Sequence, residues 1–148
     1  MKRIMIDASK CDGCKNCELA CMDSHRKDGK EGVITLDFTN PETVARNGIY
    51  NDGNGGYLPH FCRHCSKPAC AESCMSGALV KDPETGHVKY DENRCGSCFM
   101  CVMNCPYGIP KVDAARVKII KCDFCNDRPE GPACVAACPK KAIWVEEV

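Results

Sequence analysis

The sequence predicts an α+β fold of two nested units, each built from short β-hairpins and short helices around a pair of cysteine motifs. Three observations predict it. Sixteen of the 148 residues are cysteine, and they fall into four groups of four with none left over. An internal repeat frames the groups with matched flanking segments. A turn, Pro83-Glu84-Thr85-Gly86, stands between two short apolar runs and joins the middle groups.

Motif I is Cys11-x2-Cys14-x2-Cys17-x3-Cys21, and motif II is Cys62-x2-Cys65-x4-Cys70-x3-Cys74. Motif III is Cys95-x2-Cys98-x2-Cys101-x3-Cys105, followed by Pro106, and motif IV is Cys122-x2-Cys125-x8-Cys134-x3-Cys138, followed by Pro139. Met22 and Met75 stand where motifs III and IV have proline, which changes no ligand. A tight C-x2-C-x2-C loop brings three thiolates around one metal cluster. The x3 step enters a helical turn, where residues four apart lie one above the other, roughly 6 Å along the axis. That step carries the last cysteine away from the first cluster and onto the other cluster of a pair, as in two-cluster bacterial ferredoxins. Zinc is the competing reading of any C-x2-C pair, because zinc sites assemble two separated pairs. Two complete C-x2-C-x2-C-x3-C runs, and two variants that keep the C-x3-C ending, point instead to four-iron, four-sulfur (4Fe-4S) cubanes. Four motifs predict four 4Fe-4S clusters in a ferredoxin-like fold.

The repeat sets the pairing. An aspartate precedes the first cysteine by four residues in motif I (Asp7) and in motif III (Asp91), and an alanine follows the last by four in motif II (Ala78) and in motif IV (Ala142). Each dicluster unit thus combines a strand-then-motif half with a motif-then-strand half. A β-hairpin around the Pro83–Gly86 turn joins motif II to motif III. Motifs I and IV remain, and their strands, at residues 3–7 and 142–146, lie at the two chain ends. The outer unit is expected at 1–30 plus 112–148, the inner at 57–111, with 31–56 as a connecting insertion. Sequential pairing, I with II and III with IV, would require hairpins across 22–61, which is long and glycine-rich, and across 106–121, which lacks an obvious turn.

Crossed ligation then gives four sites. Cys11, Cys14, Cys17 and Cys138 form one, and Cys122, Cys125, Cys134 and Cys21 its neighbour. Cys95, Cys98, Cys101 and Cys74 form the third, and Cys62, Cys65, Cys70 and Cys105 the fourth. Within the insertion, residues 33–38 alternate weakly and read as a strand, and residues 51–56 read as loop. This segment reads as packing or as a docking surface for a partner.

Composition excludes several classes. No apolar run is long enough for a signal peptide or for the ~20 residues of a membrane span. The thiols are therefore expected in a reducing cytoplasm, binding metal rather than forming disulfides. Lysine plus arginine equal aspartate plus glutamate, 20 against 20, so nucleic acid and anionic membrane are not expected partners. Cluster binding deprotonates the thiols, and each oxidised cubane with its thiolates carries a charge of about −2, so basic residues are expected to compensate the clusters. Phe99, Met100, Val102 and Met103 interleave motif III and read as shielding of a cluster from water. His64 reads as a satisfied polar residue near a cluster; His25, His60 and His87 show no constellation. No nucleotide fingerprint, nucleophile–base pair or flavin motif is present, so catalytic residues are expected to be none.

The run Cys62-Arg63-His64-Cys65-Ser66-Lys67-Pro68-Ala69-Cys70 resembles the second motif of the four-cluster iron–sulfur subunits of molybdopterin oxidoreductases, formate dehydrogenases and hydrogenases. Lys121-Cys122-Asp123-Phe124-Cys125, Asp127-Arg128 and Pro132-Ala133-Cys134-Val135 look like their fourth motif. The resemblance covers 1–30 and 57–148, and it implies nested pairing. Cys74-Met75-Ser76-Gly77-Ala78 and Cys95-Gly96-Ser97-Cys98-Phe99-Met100-Cys101-Val102-Met103-Asn104-Cys105-Pro106-Tyr107-Gly108 look most like the ferredoxin-like carrier of anaerobic carbon monoxide dehydrogenases. That likeness implies an electron carrier reduced by the dehydrogenase and oxidised by a hydrogenase, a flavoprotein or another ferredoxin. The competing expectations are an electron-transfer subunit of a formate dehydrogenase, hydrogenase or tungsten/molybdenum oxidoreductase, a structural or sensory iron–sulfur subunit, and a colourless zinc-binding module.

Overall fold

The computed structural model describes all residues from Met1 to Val148. Strand β1 (Lys2–Ile6) opens the chain, and helix α1 (Asn16–Ser24) carries the end of motif I. Strands β2 (Gly48–Asn51) and β3 (Tyr57–His60) pair as a hairpin, followed by the one-turn helix α2 (Ala69–Glu72). Strands β4 (Leu79–Lys81) and β5 (Val88–Tyr90) form the second hairpin, and helix α3 (Met100–Asn104) follows. Strands β6 (Lys111–Val112) and β7 (Ile119–Ile120) form the third; helix α4 (Ala133–Ala136) and strand β8 (Ile143–Glu147) close the chain. The class is α+β.

The chain ends lie side by side. β1 and β8 are antiparallel over their whole length, with Ile4 opposite Val145 and Ile6 opposite Ile143. Helix α1 packs on α4, and α2 on α3. The repeated aspartates and alanines meet each other: Asp7 N–H donates to Ala142 O at 2.8 Å, and Asp91 N–H donates to Ala78 O at 2.8 Å. Each aspartate also caps a single 3-10 turn, its carboxylate accepting from Ser9 N–H and Asn93 N–H. The repeat is thus a bonded junction that ties motif I to motif IV and motif III to motif II.

Two apolar clusters sit beneath these junctions. One gathers Ile4, Cys17, Ile49, Phe61, Phe124, Cys134 and Ile143, the other Leu79, Val88, Cys101 and Ile119. Only 28 of 148 residues are buried, and five of those are cysteines, so apolar burial alone is a thin source of stability.

The insertion departs from expectation. Residues 33–35 form a 3-10 turn rather than a strand, with Ile34 fully exposed. Arg26 fixes this turn by donating to Gly32 O, Thr35 Oγ1 and Thr35 O at 2.7–3.1 Å, so no partner strand is needed. Strand β2 has no signal in the sequence pattern; the Asp52 carboxylate organises its turn by accepting from Asn54 and Gly56 N–H. The 106–121 segment does contain a hairpin turn. Asp113 Oδ1 accepts from Val117 and Lys118 N–H, and Arg116 takes φ +56°, so the turn forms without glycine or proline.

Candidate iron–sulfur sites

Each motif begins with the same backbone device. The residue before the second cysteine is left-handed in all four: Gly13 at φ +72°, His64 at +42°, Ser97 at +60° and Phe124 at +64°. Lys15 and Phe99, immediately after the second cysteine of motifs I and III, are left-handed too and precede α1 and α3. A left-handed non-glycine residue costs roughly 1–2 kcal/mol, and such conformations persist where surrounding structure over-determines them. The result is a tight loop that turns its cysteines to one side.

Thiols from different motifs line common recesses. Cys11, Cys14 and Cys17 line one recess with Cys138, backed by Ile49, Phe61 and Ile143. Cys122, Cys125 and Cys134 line a second with Cys21 and also with Cys62 of motif II. Cys95, Cys98 and Cys101 line a third with Cys74, against Leu79, Phe99 and Ile119. In the fourth set Cys62 and Cys105 are the thiols whose charges act on Cys70, and Cys65 is held through its carbonyl, which accepts from Lys81 Nζ at 2.7 Å. Four soft sulfur donors per set fit a cubane. No helix is long and apolar enough to cross a membrane.

Burial sets the electrostatics. It pushes the Cys17 and Cys134 thiols up to about 12 and Cys70 up to about 11, so these groups resist ionising without a cation to hold. Cys74 is lower than an ordinary thiol because the N–H groups of Leu79, Ala78 and Ser76 outweigh its burial. Backbone N–H groups of Arg46, Phe124 and Ala142 donate to Cys21, Cys122 and Cys138 sulfurs at 3.2–3.4 Å.

His25 has a constellation that the sequence could not show, since its partner is 98 residues away. Its Nε2 donates to Asp123 Oδ1 at 3.0 Å and its Nδ1 to Cys21 O at 2.8 Å, so both nitrogens carry protons. Burial opposes this charge, but bonds to Asp123, Cys125 and Cys21 outweigh it and raise His25 to about 12. Arg46 Nη1 completes the network on Asp123 Oδ2 at 2.9 Å. Lysines reach into the loops as well: Lys118 Nζ donates to Cys95 O and Lys121 Nζ to Cys122 O. Exposed Met103, 69% accessible, shields little, whereas Phe99 packs against the Leu79 cluster and lines the Cys95 recess.

The 4Fe-4S dicluster domain family matches residues 54–148. The B subunit of the anaerobic dimethyl sulfoxide reductase of Escherichia coli (strain K12) is 41% identical over 149 residues, covering 93% of this chain and 69% of that protein. Electron transport protein HydN of the same organism is 36% identical over 155 residues, covering 95% of this chain and 85% of that one. Among solved structures, the active site complex BamBC of benzoyl coenzyme A reductase with 1,5-dienoyl-CoA contains a chain with a TM-score of 0.52 and 25% identity, covering all of this chain and 78% of its own length. The bonded cysteine loops and these relatives together place the chain in the 4Fe-4S dicluster domain family, as an iron–sulfur electron-transfer protein.

Proposed function

We propose that the chain binds four 4Fe-4S clusters in two nested, crossed-ligand units and relays low-potential electrons along them between a redox enzyme and an acceptor. The outer unit is 1–30 plus 112–148, the inner 57–111, joined by 31–56. The ligand sets are Cys11, Cys14, Cys17 and Cys138; Cys21, Cys122, Cys125 and Cys134; Cys62, Cys65, Cys70 and Cys105; and Cys74, Cys95, Cys98 and Cys101. The observation that carries this reading is that three recesses each hold three thiols of one motif beside one from its partner motif, the second also holding Cys62. When bound, each cluster supplies a one-electron centre whose potential depends on hydrogen bonds to sulfur and on solvent exposure.

The chain's own residues order the four sites. Cys62 lines the recess of Cys122, so the sites of Cys122 and of Cys62 adjoin across the two units. Cys14 and Cys98, the exposed ligands, belong to the other two sites, which become the ends where donor and acceptor dock. Resemblance of motif III and of Cys74–Ala78 favours carbon monoxide dehydrogenase as donor, with a hydrogenase, flavoprotein or ferredoxin as acceptor. The identity to the dimethyl sulfoxide reductase subunit favours a second reading, a subunit of a molybdenum or tungsten oxidoreductase, formate dehydrogenases included. Stopped-flow absorbance separates them. Bleaching of the visible iron–sulfur band within seconds by carbon monoxide plus its dehydrogenase supports the first. No bleaching there, with rapid reoxidation of dithionite-reduced protein by a dimethyl sulfoxide reductase catalytic subunit, supports the second. Failure of both, in protein that dithionite reduces, would favour a structural or sensory role.

A further inference from the structure

Two buried side chains at the seam between the motif II and motif IV loops hold more donors than the protein offers acceptors. His64 is 1% exposed. Its Nδ1 accepts the Val88 N–H at 2.9 Å, which fixes the neutral ring with its proton on Nε2. Nε2 is buried and has no partner, so His64 is only half satisfied, contrary to the expectation from sequence. Lys121 is 4% exposed, and its Nζ donates to Val88 O at 2.9 Å and Cys122 O at 2.8 Å. An ammonium carries three N–H groups, so one is left over.

The contrast with Lys81 sharpens the point. Lys81 Nζ has three carbonyls, His64 O, Cys65 O and Gly86 O, at 2.7–3.0 Å. Lys121 has two, and it pairs with no carboxylate; the nearby Asp123 is taken by His25 and Arg46. A buried ammonium without a counter-charge is destabilising. The negative charge available at this seam is sulfur. His64 lies between Cys62 and Cys65, Lys121 precedes Cys122, and Cys62 and Cys122 line one recess. The two side chains also grip the two ends of one residue, the N–H and C=O of Val88, which is 2% exposed, so neither can turn away without breaking that bond.

We propose that Lys121 and His64 form a fixed donor pair for the sulfurs of the two central clusters and raise the reduction potentials of those two above what the thiolates alone would give. This role rests on the four-cluster reading above. Reduction adds negative charge, which a fixed cation and an N–H donor favour, and a surrounding of low polarity strengthens both.

The test is an EPR-monitored redox titration of anaerobically prepared holoprotein, wild type and Lys121→Met. We expect at least a tenfold loss in the reduction equilibrium at two of the four clusters, a fall of about 59 mV per tenfold for one electron, with the other two unmoved. Lys121→Arg should recover part of the loss, which a purely structural role would not predict. Equal shifts at all four clusters, or no shift at any, would overturn the proposal. Should Lys121→Met fail to retain its iron, pulsed EPR of reduced protein labelled with 15Nζ-lysine decides: a coupling present in wild type and lost in Lys121→Arg supports the pair, and an identical spectrum in both overturns it. A wild-type protein with fewer than four clusters would remove both this proposal and the reading beneath it; four clusters with unmoved potentials would remove this one alone.

Discussion

Gly13 shows what a single position in these loops must satisfy. It shares its left-handed backbone with Ser97 in motif III, so the conformation alone does not demand glycine. The difference is Tyr57: a Cβ on Gly13 would lie 2.4 Å from the Tyr57 ring. Gly13→Ala therefore adds a steric displacement to a backbone cost of roughly 1–2 kcal/mol. Thermal unfolding of the holoprotein should show a clear loss for Gly13→Ala, and Tyr57→Ala in the same chain should restore part of it. If the double variant is no better than the sum of the singles, the ring is not the obstacle. The cysteine motifs were legible at this scale because their spacing repeats along the chain. His25, Arg46 and Asp123 were not, because a network closed between residues 25, 46 and 123 leaves no local pattern.

Among the elements, the hairpin of β4 and β5 was legible and that of β6 and β7 was not, and the turns explain the difference. The first turns on Pro83 and Gly86, residues with built-in turn geometry. The second relies on the Asp113 side chain and a left-handed arginine, which composition does not announce. In the first hairpin Asp82 is held well below the ordinary carboxylate range by Lys89, by the Glu84 N–H and by the Thr85 hydroxyl. A depressed folded value means that Asp82 contributes stability fully above the unfolded value of ~3.9, and that the contribution is lost as pH falls through the folded one. Asp82→Asn should accordingly lower the thermal midpoint by the same margin at about pH 5.5 and about pH 8. A margin that shrinks at the lower pH would show that Asp82 titrates higher. The Asp7 and Asp91 caps belong to the same scale: Asp91→Ala, losing its bond to Asn93 N–H, should cost about 1 kcal/mol, read by denaturant unfolding.

For the whole molecule the small buried fraction and the crossed thiol sets have one consequence. Where three ligands come from one motif and the fourth from a distant one, each cluster is a cross-link, and chelating iron should unfold the chain, with circular dichroism losing its structure in step with the visible absorbance. Reconstituted protein should carry about sixteen iron and sixteen sulfide per chain, four of each for every cubane. The sharper outcome concerns Cys138. It belongs to motif IV with Cys122 and Cys125, yet it lines the recess of Cys11, Cys14 and Cys17. Under nested pairing Cys138→Ser and Cys14→Ser perturb the same EPR resonance, and the double variant adds little. Under sequential pairing Cys138→Ser would instead match Cys98→Ser. Serine oxygen can still reach iron, so the expected change is a shifted or three-iron spectrum rather than complete loss. A match to Cys98→Ser would overturn the nested architecture and leave electron transfer standing, because the one-electron chemistry resides in each cluster whichever motifs supply its thiolates.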